Sequence, residues 1–100
     1  MDIGIFSGVA SSGGFSSIVA DAAASAEAGF DTYWLPQIVQ QAEAMNIIGA
    51  AAQTVPNIRF GTSVVPTYPR HPMVMAEQAQ TTSMITGGRF TLGIGLSHKP

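Results

Sequence analysis

Four short apolar runs recur along the chain at intervals of about thirty residues. They occupy residues 3–6, 32–35, 59–65 and 90–94. Strands that are buried on both faces of a sheet have near-continuous apolar sequences of this length. The repeat therefore predicts four strands, each separated from the next by a segment long enough to hold a helix.

The first intervening segment, residues 16–28, has the periodicity of a helix. Ile18, Ala22 and Ala26 fall on one face of it. We expect this helix to end at Gly29, because glycine readily takes the left-handed conformation that closes a helix.

The other two intervening segments also have helical spacing. The second, residues 40–54, is followed by Pro56 and carries one stripe of side chains: Gln41, Met45, Ile48 and Ala52. The third begins at Pro72, because a proline in the first helical turn needs no N–H partner. It is expected to end at Gly87 and Gly88, and His71 is expected to cap or border its start.

The predicted order is β-α-β-α-β-α-β, so the chain is classed as α/β with parallel β/α units. Connections that contain a helix join parallel strands with right-handed crossovers. Two folds are built in this way: an open doubly wound sheet and a (β/α)8 TIM barrel. One hundred residues are just enough for a complete open four-stranded sheet, whereas a barrel needs about 250 residues.

The sequence stops at Lys99 and Pro100, where a fourth helix would be expected to follow the fourth run. We therefore expect residues 1–100 to be the N-terminal half of a (β/α)8-barrel domain and a fragment of a longer protein. Barrels commonly grip phosphate with loops after strands seven and eight, so we expect the fragment alone to be inactive. Two alternatives remain: a small flavodoxin-like α/β domain that binds a ligand without catalysis, and a half-barrel that dimerises as a scaffold.

The composition narrows the possible partners. Only 10% of the residues are charged, against about 25% in an average globular protein, so much of the surface must be covered or uncharged. Four Lys and Arg residues and a net charge of −2 argue against nucleic-acid binding. The chain has no cysteine, no apolar stretch that could span a membrane and no basic signal-peptide start. We predict a cytoplasmic protein that acts on a small-molecule substrate.

The glycine and histidine motifs do not match a nucleotide or metal site. Three glycines follow the first run: Gly8, Gly13 and Gly14. They lack the Lys-Ser/Thr of a P-loop and the G-x-G-x-x-G spacing of a dinucleotide site. Gly93 and Gly95 supply two glycines of that pattern within a predicted strand. Neither His71 nor His98 has a carboxylate three or four residues away, so no metal site is predicted.

The carboxyl ends of the strands are where both candidate folds bind ligands. These ends are small, polar or aromatic and nearly uncharged, which suits a flat, largely neutral ring, although ordinary loops have the same composition. His98 could move protons near neutral pH and is the candidate catalytic residue. The candidate cofactor-binding residues are Phe6, Gln37, Thr62, Ser63, Val64, Gly95 and Ser97.

Three segments resemble a known family. Residues 28–35, 61–72 and 87–95 are similar to the second, third and fourth strands of luciferase-like flavin and deazaflavin oxidoreductases, in the same order and spacing. The resemblance implies hydride transfer between a substrate and a tricyclic ring in a barrel mouth, with coenzyme F420 as cofactor. FMN, used with O2 by the family's monooxygenases, is the alternative. The resemblance also implies a non-proline cis peptide at Ser63–Val64 that backs the ring, and a homo-oligomer when the protein is full length.

The chain departs from one branch of that family. Deazaflavin-dependent sugar-phosphate dehydrogenases carry an Asp-His pair after the second strand, and the matching residues here are Gln37 and Ile38. The acid that those enzymes carry after the fourth strand falls at or near His98. We therefore do not expect sugar-phosphate dehydrogenase chemistry, and the substrate stays open.

Overall fold

Helices and strands alternate along the chain as the repeat predicts. The computed structural model describes residues 4–6, 14–36, 43–66 and 71–95. In chain order the elements are β1 (Gly4–Phe6), α1 (Phe15–Glu27), β2 (Thr32–Leu35), α2 (Ala44–Ala51), β3 (Arg59–Thr62), β4 (Val65–Pro66), α3 (Pro72–Ile85), β5 (Phe90–Thr91) and β6 (Ile94–Gly95).

All strand pairs are parallel. One sheet has the order β1-β2-β3-β5, and a two-stranded sheet pairs β4 with β6. The spatial order therefore follows the chain order, as in a barrel, whereas a doubly wound sheet reverses direction at a switch point. The predicted α/β class with parallel β/α units is confirmed, and this strand order disfavours the flavodoxin-like alternative.

Two of the predicted strands are interrupted. Ser63 and Val64 separate β3 from β4, and Leu92 and Gly93 separate β5 from β6. The predicted continuous strands over residues 59–65 and 90–94 are therefore wrong in detail. At this interruption the Thr62 hydroxyl accepts a hydrogen bond from the Gly93 N–H, and it shares the Gly93 carbonyl oxygen with the Val65 N–H of β4.

The core lies between the helices and one face of the sheet. Tyr33 and Phe60, from neighbouring strands, meet edge to face with ring centroids 6.2 Å apart. The buried Tyr33 hydroxyl donates a hydrogen bond of 2.7 Å to the Asp21 carboxylate on α1. Other buried apolar residues in this core are Ile18, Ala22, Leu35, Ala44, Ile48, Ala51, Ala52, Val55 and Ile58.

The ends of α1 and α3 follow the predicted turn chemistry. Gly29, Gly87 and Gly88 all have positive φ, at 94°, 67° and 84°. His71 caps α3, because its Nδ1 accepts a hydrogen bond of 3.1 Å from the Met73 backbone N–H. These four predictions are confirmed.

The second helix is shorter than predicted. Its start at Ala44, rather than Gln40, follows from Glu43, which is extended and accepts hydrogen bonds from the Met45 and Asn46 backbone N–H groups. Of the predicted stripe, Met45, Ile48 and Ala52 are buried. Gln41 lies outside the described residues.

The Arg89 side chain donates hydrogen bonds to backbone carbonyls in the turns at the amino-terminal end of the strands. Its Nη1 donates to the carbonyl oxygens of Val55 and Ile58, at 3.0 and 2.7 Å. Its Nη2 and Nε donate to the carbonyls of Ala52 and Thr86, at 3.2 and 2.9 Å. One guanidinium thus binds the carbonyls of two helix C-caps, Ala52 and Thr86, and two carbonyls of the connection between α2 and β3.

We expect Arg89→Met to lower the free energy of unfolding by about 3 kcal/mol, because a partly buried, charge-assisted set of hydrogen bonds is lost. Arg89→Lys should recover only part of this, since a single ammonium cannot reach four carbonyls in fork geometry. Urea unfolding followed by circular dichroism gives both values. Equal stability of the lysine variant and the wild type would contradict this account.

Candidate functional site

The structure brings four of the predicted site residues together at the carboxyl ends of the strands. Thr62 ends β3, Ser63 and Val64 form the link to β4, and Gly95 lies in β6. A Cβ atom at Gly95 would stand 2.9 Å from Val64 Cγ2, so the Val64 side chain packs directly over the glycine. Residues from two interrupted strands therefore meet at one place.

Thr62 is completely buried. Its hydroxyl donates to the Gly93 carbonyl oxygen and accepts from the Gly93 N–H, both at 2.8 Å. The Val65 N–H donates to the same carbonyl at 2.8 Å. On the other side, the Ser63 N–H donates to the Leu35 carbonyl at 2.9 Å. The Ser63–Val64 link is thus held from both neighbouring strands.

The link itself exposes apolar surface. The Ser63–Val64 peptide bond is cis, as the family resemblance implies. Val64 is 39% exposed and Ile94, on the adjacent strand, is 53% exposed. Within the described ranges, the residues at these strand ends are uncharged. Glu43 and His71, which cap the amino-terminal ends of α2 and α3, each accept hydrogen bonds from their own helix.

The structure describes only one of the other predicted site residues, and only by its backbone. The backbone of Phe6 pairs with Trp34 at the end of β1. Gln37, Ser97 and His98 lie outside the described residues, and their roles remain predictions. Across the ranges that the structure covers, no three His, Cys, Asp or Glu residues cluster as metal ligands would. Those ranges also contain no helix that is long and apolar enough to cross a membrane.

Trp34 is a feature that the sequence reasoning missed. It stands opposite Gly61 in β3, on the face of the sheet opposite the core residues Tyr33 and Leu35. A Cβ atom at Gly4 would be 2.5 Å from Trp34 Nε1, and one at Gly61 would be 2.6 Å from its Cε3. The indole therefore lies across two glycines. Glycine within a strand often marks such a close approach, so Gly4 and Gly61 are the sequence signals that could have indicated the position of the indole.

The arrangement has limited chemistry of its own. Val64 and the bare backbone of Gly95 offer an apolar surface, and Ser63 offers a hydroxyl. Such a surface can hold a flat, neutral ring and can keep water from one side of it. The side chains of Thr62, Ser63 and Val64 carry no acid or base, so proton transfer would need a residue from elsewhere or the bound molecule itself.

Comparison with known protein families gives a match over the whole chain. The model of the luciferase-like monooxygenase family matches residues 1–100. The 4-hydroxyprotoasukamycin monooxygenase of Streptomyces nodosus subsp. asukaensis is 43% identical over 53 residues, covering 53% of this chain and 14% of that protein. The F420-dependent glucose-6-phosphate dehydrogenase of Beutenbergia cavernae is 35% identical over 78 residues, covering 69% of this chain and 23% of that protein.

Solved structures share the fold. The coenzyme F420 dependent tetrahydromethanopterin reductase of Methanopyrus kandleri superposes with a TM-score of 0.75 at 25% identity, over 95% of this chain and 26% of that one. The oxygenating constituent of 3,6-diketocamphane monooxygenase from Pseudomonas putida, solved with FMN, gives a TM-score of 0.83 at 24% identity, over 100% of this chain and 30% of that one. The chain therefore spans less than a third of the length of these relatives.

Proposed function

The chain belongs to the luciferase-like monooxygenase family, and we propose that it is part of an oxidoreductase that transfers a hydride between coenzyme F420 and an organic substrate. The observation that carries this proposal is the uncharged apolar surface that Val64 and Gly95 form at the strand ends. Similarity to an F420-dependent dehydrogenase and to an F420-dependent reductase supports the choice of cofactor.

The described residues fit a deazaflavin or flavin ring. Small-molecule sites are mostly apolar, with a few polar groups that set orientation. Val64 is well exposed, and Gly95 has no side chain to obstruct a planar ring. We propose that Val64 and Gly95 contact the ring and that Ser63 supplies a nearby hydroxyl, with Phe6, Gln37 and Ser97 completing the binding residues. When bound, the cofactor supplies the site that accepts or donates the hydride.

We propose His98 as the acid or base that moves the substrate proton. Histidine is the side chain that ordinarily titrates near neutral pH. In the full-length enzyme, His98→Asn should lower kcat by about 10²–10⁴-fold and abolish its pH dependence near neutrality. Cofactor affinity, measured by fluorescence titration, should stay unchanged. An unaltered kcat and pH profile in this variant would remove His98 from the mechanism.

A second candidate function is an FMN-dependent monooxygenase that uses O2. The observation that favours it is the 43% identity to a monooxygenase over 53 residues. Glucose 6-phosphate is not the substrate that we propose, despite the dehydrogenase relative. The chain has Gln37 and Ile38 where the resemblance places the Asp-His pair of such enzymes.

Fluorescence titration with coenzyme F420 and with FMN, separately, tests the proposed function. Tight binding of F420 alone is the expected result. A preference for FMN would replace the proposal with the monooxygenase, which oxygen consumption would then check. Binding of neither would overturn both and favour a non-catalytic domain. Purified glucose 6-phosphate should give no F420 reduction above the buffer control.

We also propose that residues 1–100 act as the N-terminal half of a barrel that is completed by further strands in a homo-oligomeric enzyme. Support comes from the chain-order sheet and from the partial coverage of each relative. The isolated 100-residue chain should then show no measurable F420 reduction. Activity of the isolated chain would defeat this proposal, and a dimeric mass in solution would favour the dimerising half-barrel.

A further inference from the structure

The buried Thr62 hydroxyl makes the hydrogen bonds to Gly93 that the backbone of a neighbouring strand would usually make. In a parallel sheet, N–H and C=O groups are taken up by the neighbouring strand. Between β3 and β4 this pairing stops, and one hydroxyl both donates to and accepts from Gly93 at 2.8 Å. A hydroxyl can serve both roles at once because it has one proton and two lone pairs.

Both ends of the Ser63–Val64 link are fixed to the same residue. Thr62 precedes the link and Val65 follows it, and both make hydrogen bonds to Gly93. The approach is so close that a Cβ atom at Gly93 would overlap the Thr62 carbonyl oxygen. The link therefore spans two attachment points on one glycine, which leaves it little freedom to shift.

The Val64 side chain depends on these attachments for its position. It is 39% exposed and lies against Gly95, where a Cβ atom would be 2.9 Å from Cγ2, and against Gly93, where a Cβ atom would be 3.8 Å from Cγ1. Loss of the Thr62 hydroxyl would leave the partly buried Gly93 N–H without its partner. The link would then relax, and Val64 would move with it.

From this geometry we propose that Thr62 is a positioning residue, which sets the place of Val64 against the bound cofactor ring through its two hydrogen bonds to Gly93. The inference rests on the proposed function, in which Val64 contacts the ring. Thr62 touches no ligand, because its side chain is completely buried. It acts on the cofactor through the link alone.

The test compares three threonine variants of the full-length protein. Thr62→Val removes the hydroxyl and keeps the shape, whereas Thr62→Ser keeps the hydroxyl. Thr86→Val is the matched control, because Thr86 is 1% exposed and its hydroxyl donates to the Ser83 carbonyl at 3.0 Å, in the turn after α3. Each variant is titrated with F420 and FMN, and the absorption spectrum of the bound cofactor and the melting temperature are recorded.

We expect Thr62→Val to weaken binding about tenfold, the equivalent of one lost hydrogen bond, and to shift the absorption band of the bound cofactor. Thr62→Ser should restore both towards the wild type. Thr86→Val should lower the melting temperature without changing either. Wild-type affinity and spectrum in Thr62→Val, or the same spectral change in Thr86→Val, would overturn the inference.

Gly95→Ala provides a second route should Thr62→Val fail to fold. It leaves the Thr62 hydroxyl in place and pushes directly on Val64. It should weaken binding and shift the spectrum, whereas Gly49→Ala, with a Cβ at an ordinary 3.5 Å from Ile85, should not. Normal binding by Gly95→Ala would overturn the inference together with the proposed contact of Gly95 with the ring, while F420 binding by the wild type would leave the proposed cofactor in place. Failure of the wild type to bind either cofactor would overturn both.

Discussion

Gly93→Ala is expected to lower the free energy of unfolding by about 4 kcal/mol or more. The added methyl group would overlap the Thr62 carbonyl oxygen. Overpacking against a flexible side chain can be relieved by a rotamer change, but here the obstacle is backbone held at both ends by hydrogen bonds. The strand would have to separate from its neighbour to make room.

Urea unfolding of Gly93→Ala beside Gly49→Ala measures this effect. Gly49 lies within α2, and a Cβ there would make an ordinary contact of 3.5 Å with Ile85 Cδ1. Alanine is favoured over glycine inside a helix by about 1 kcal/mol, so this control should be neutral or stabilising. Similar losses in the two variants would show that the close approach at Gly93 is not the cause.

The second large effect is expected at Gly61. Gly61→Ala should cost about 3 kcal/mol, at the upper end of typical overpacking penalties. The new Cβ would overlap Trp34 Cζ3, and the indole cannot retreat freely because Gly4 already lies against its other end. Because β1 and β3 both confine the rigid indole, the ring cannot move away from the new methyl group without a large cost in free energy.

A double-mutant cycle with Trp34→Leu tests the cause of that loss. The leucine variant is itself destabilised, because a large aromatic contact area is removed. In that background, however, Gly61→Ala should cost little, giving a favourable interaction energy of about 2 kcal/mol. Strict additivity of the two substitutions would show that Trp34 and Gly61 are not energetically coupled.

Much of the fold could be predicted from local sequence. The thirty-residue repeat, Gly29, Pro72 and the Gly87–Gly88 pair each act through near neighbours, and the structure confirms the elements that they define. The start of α2 could not be predicted in the same way. Glu43 caps that helix, although Ser, Thr, Asp and Asn are the usual caps.

The site was harder to predict because its key contacts are not local. The strand-end rule selected Thr62, Ser63, Val64 and Gly95, and the structure places these four together. The hydrogen bonds from Thr62 to Gly93 span 31 residues. No periodicity within an apolar run indicates where such a side chain will replace strand pairing. The sequence therefore indicates Gly93 as part of the fourth strand and of an incomplete nucleotide motif, but not as a partner of Thr62.

The packing of Trp34 between Gly4 and Gly61 also gives the protein an internal spectroscopic reporter. It is the one tryptophan in the chain, so all indole emission comes from this single place in the sheet. Emission from Trp34 records the state of the sheet face, while circular dichroism records the helices. Comparing the two in the same unfolding experiment would separate local loosening of the sheet from cooperative unfolding, without any added label.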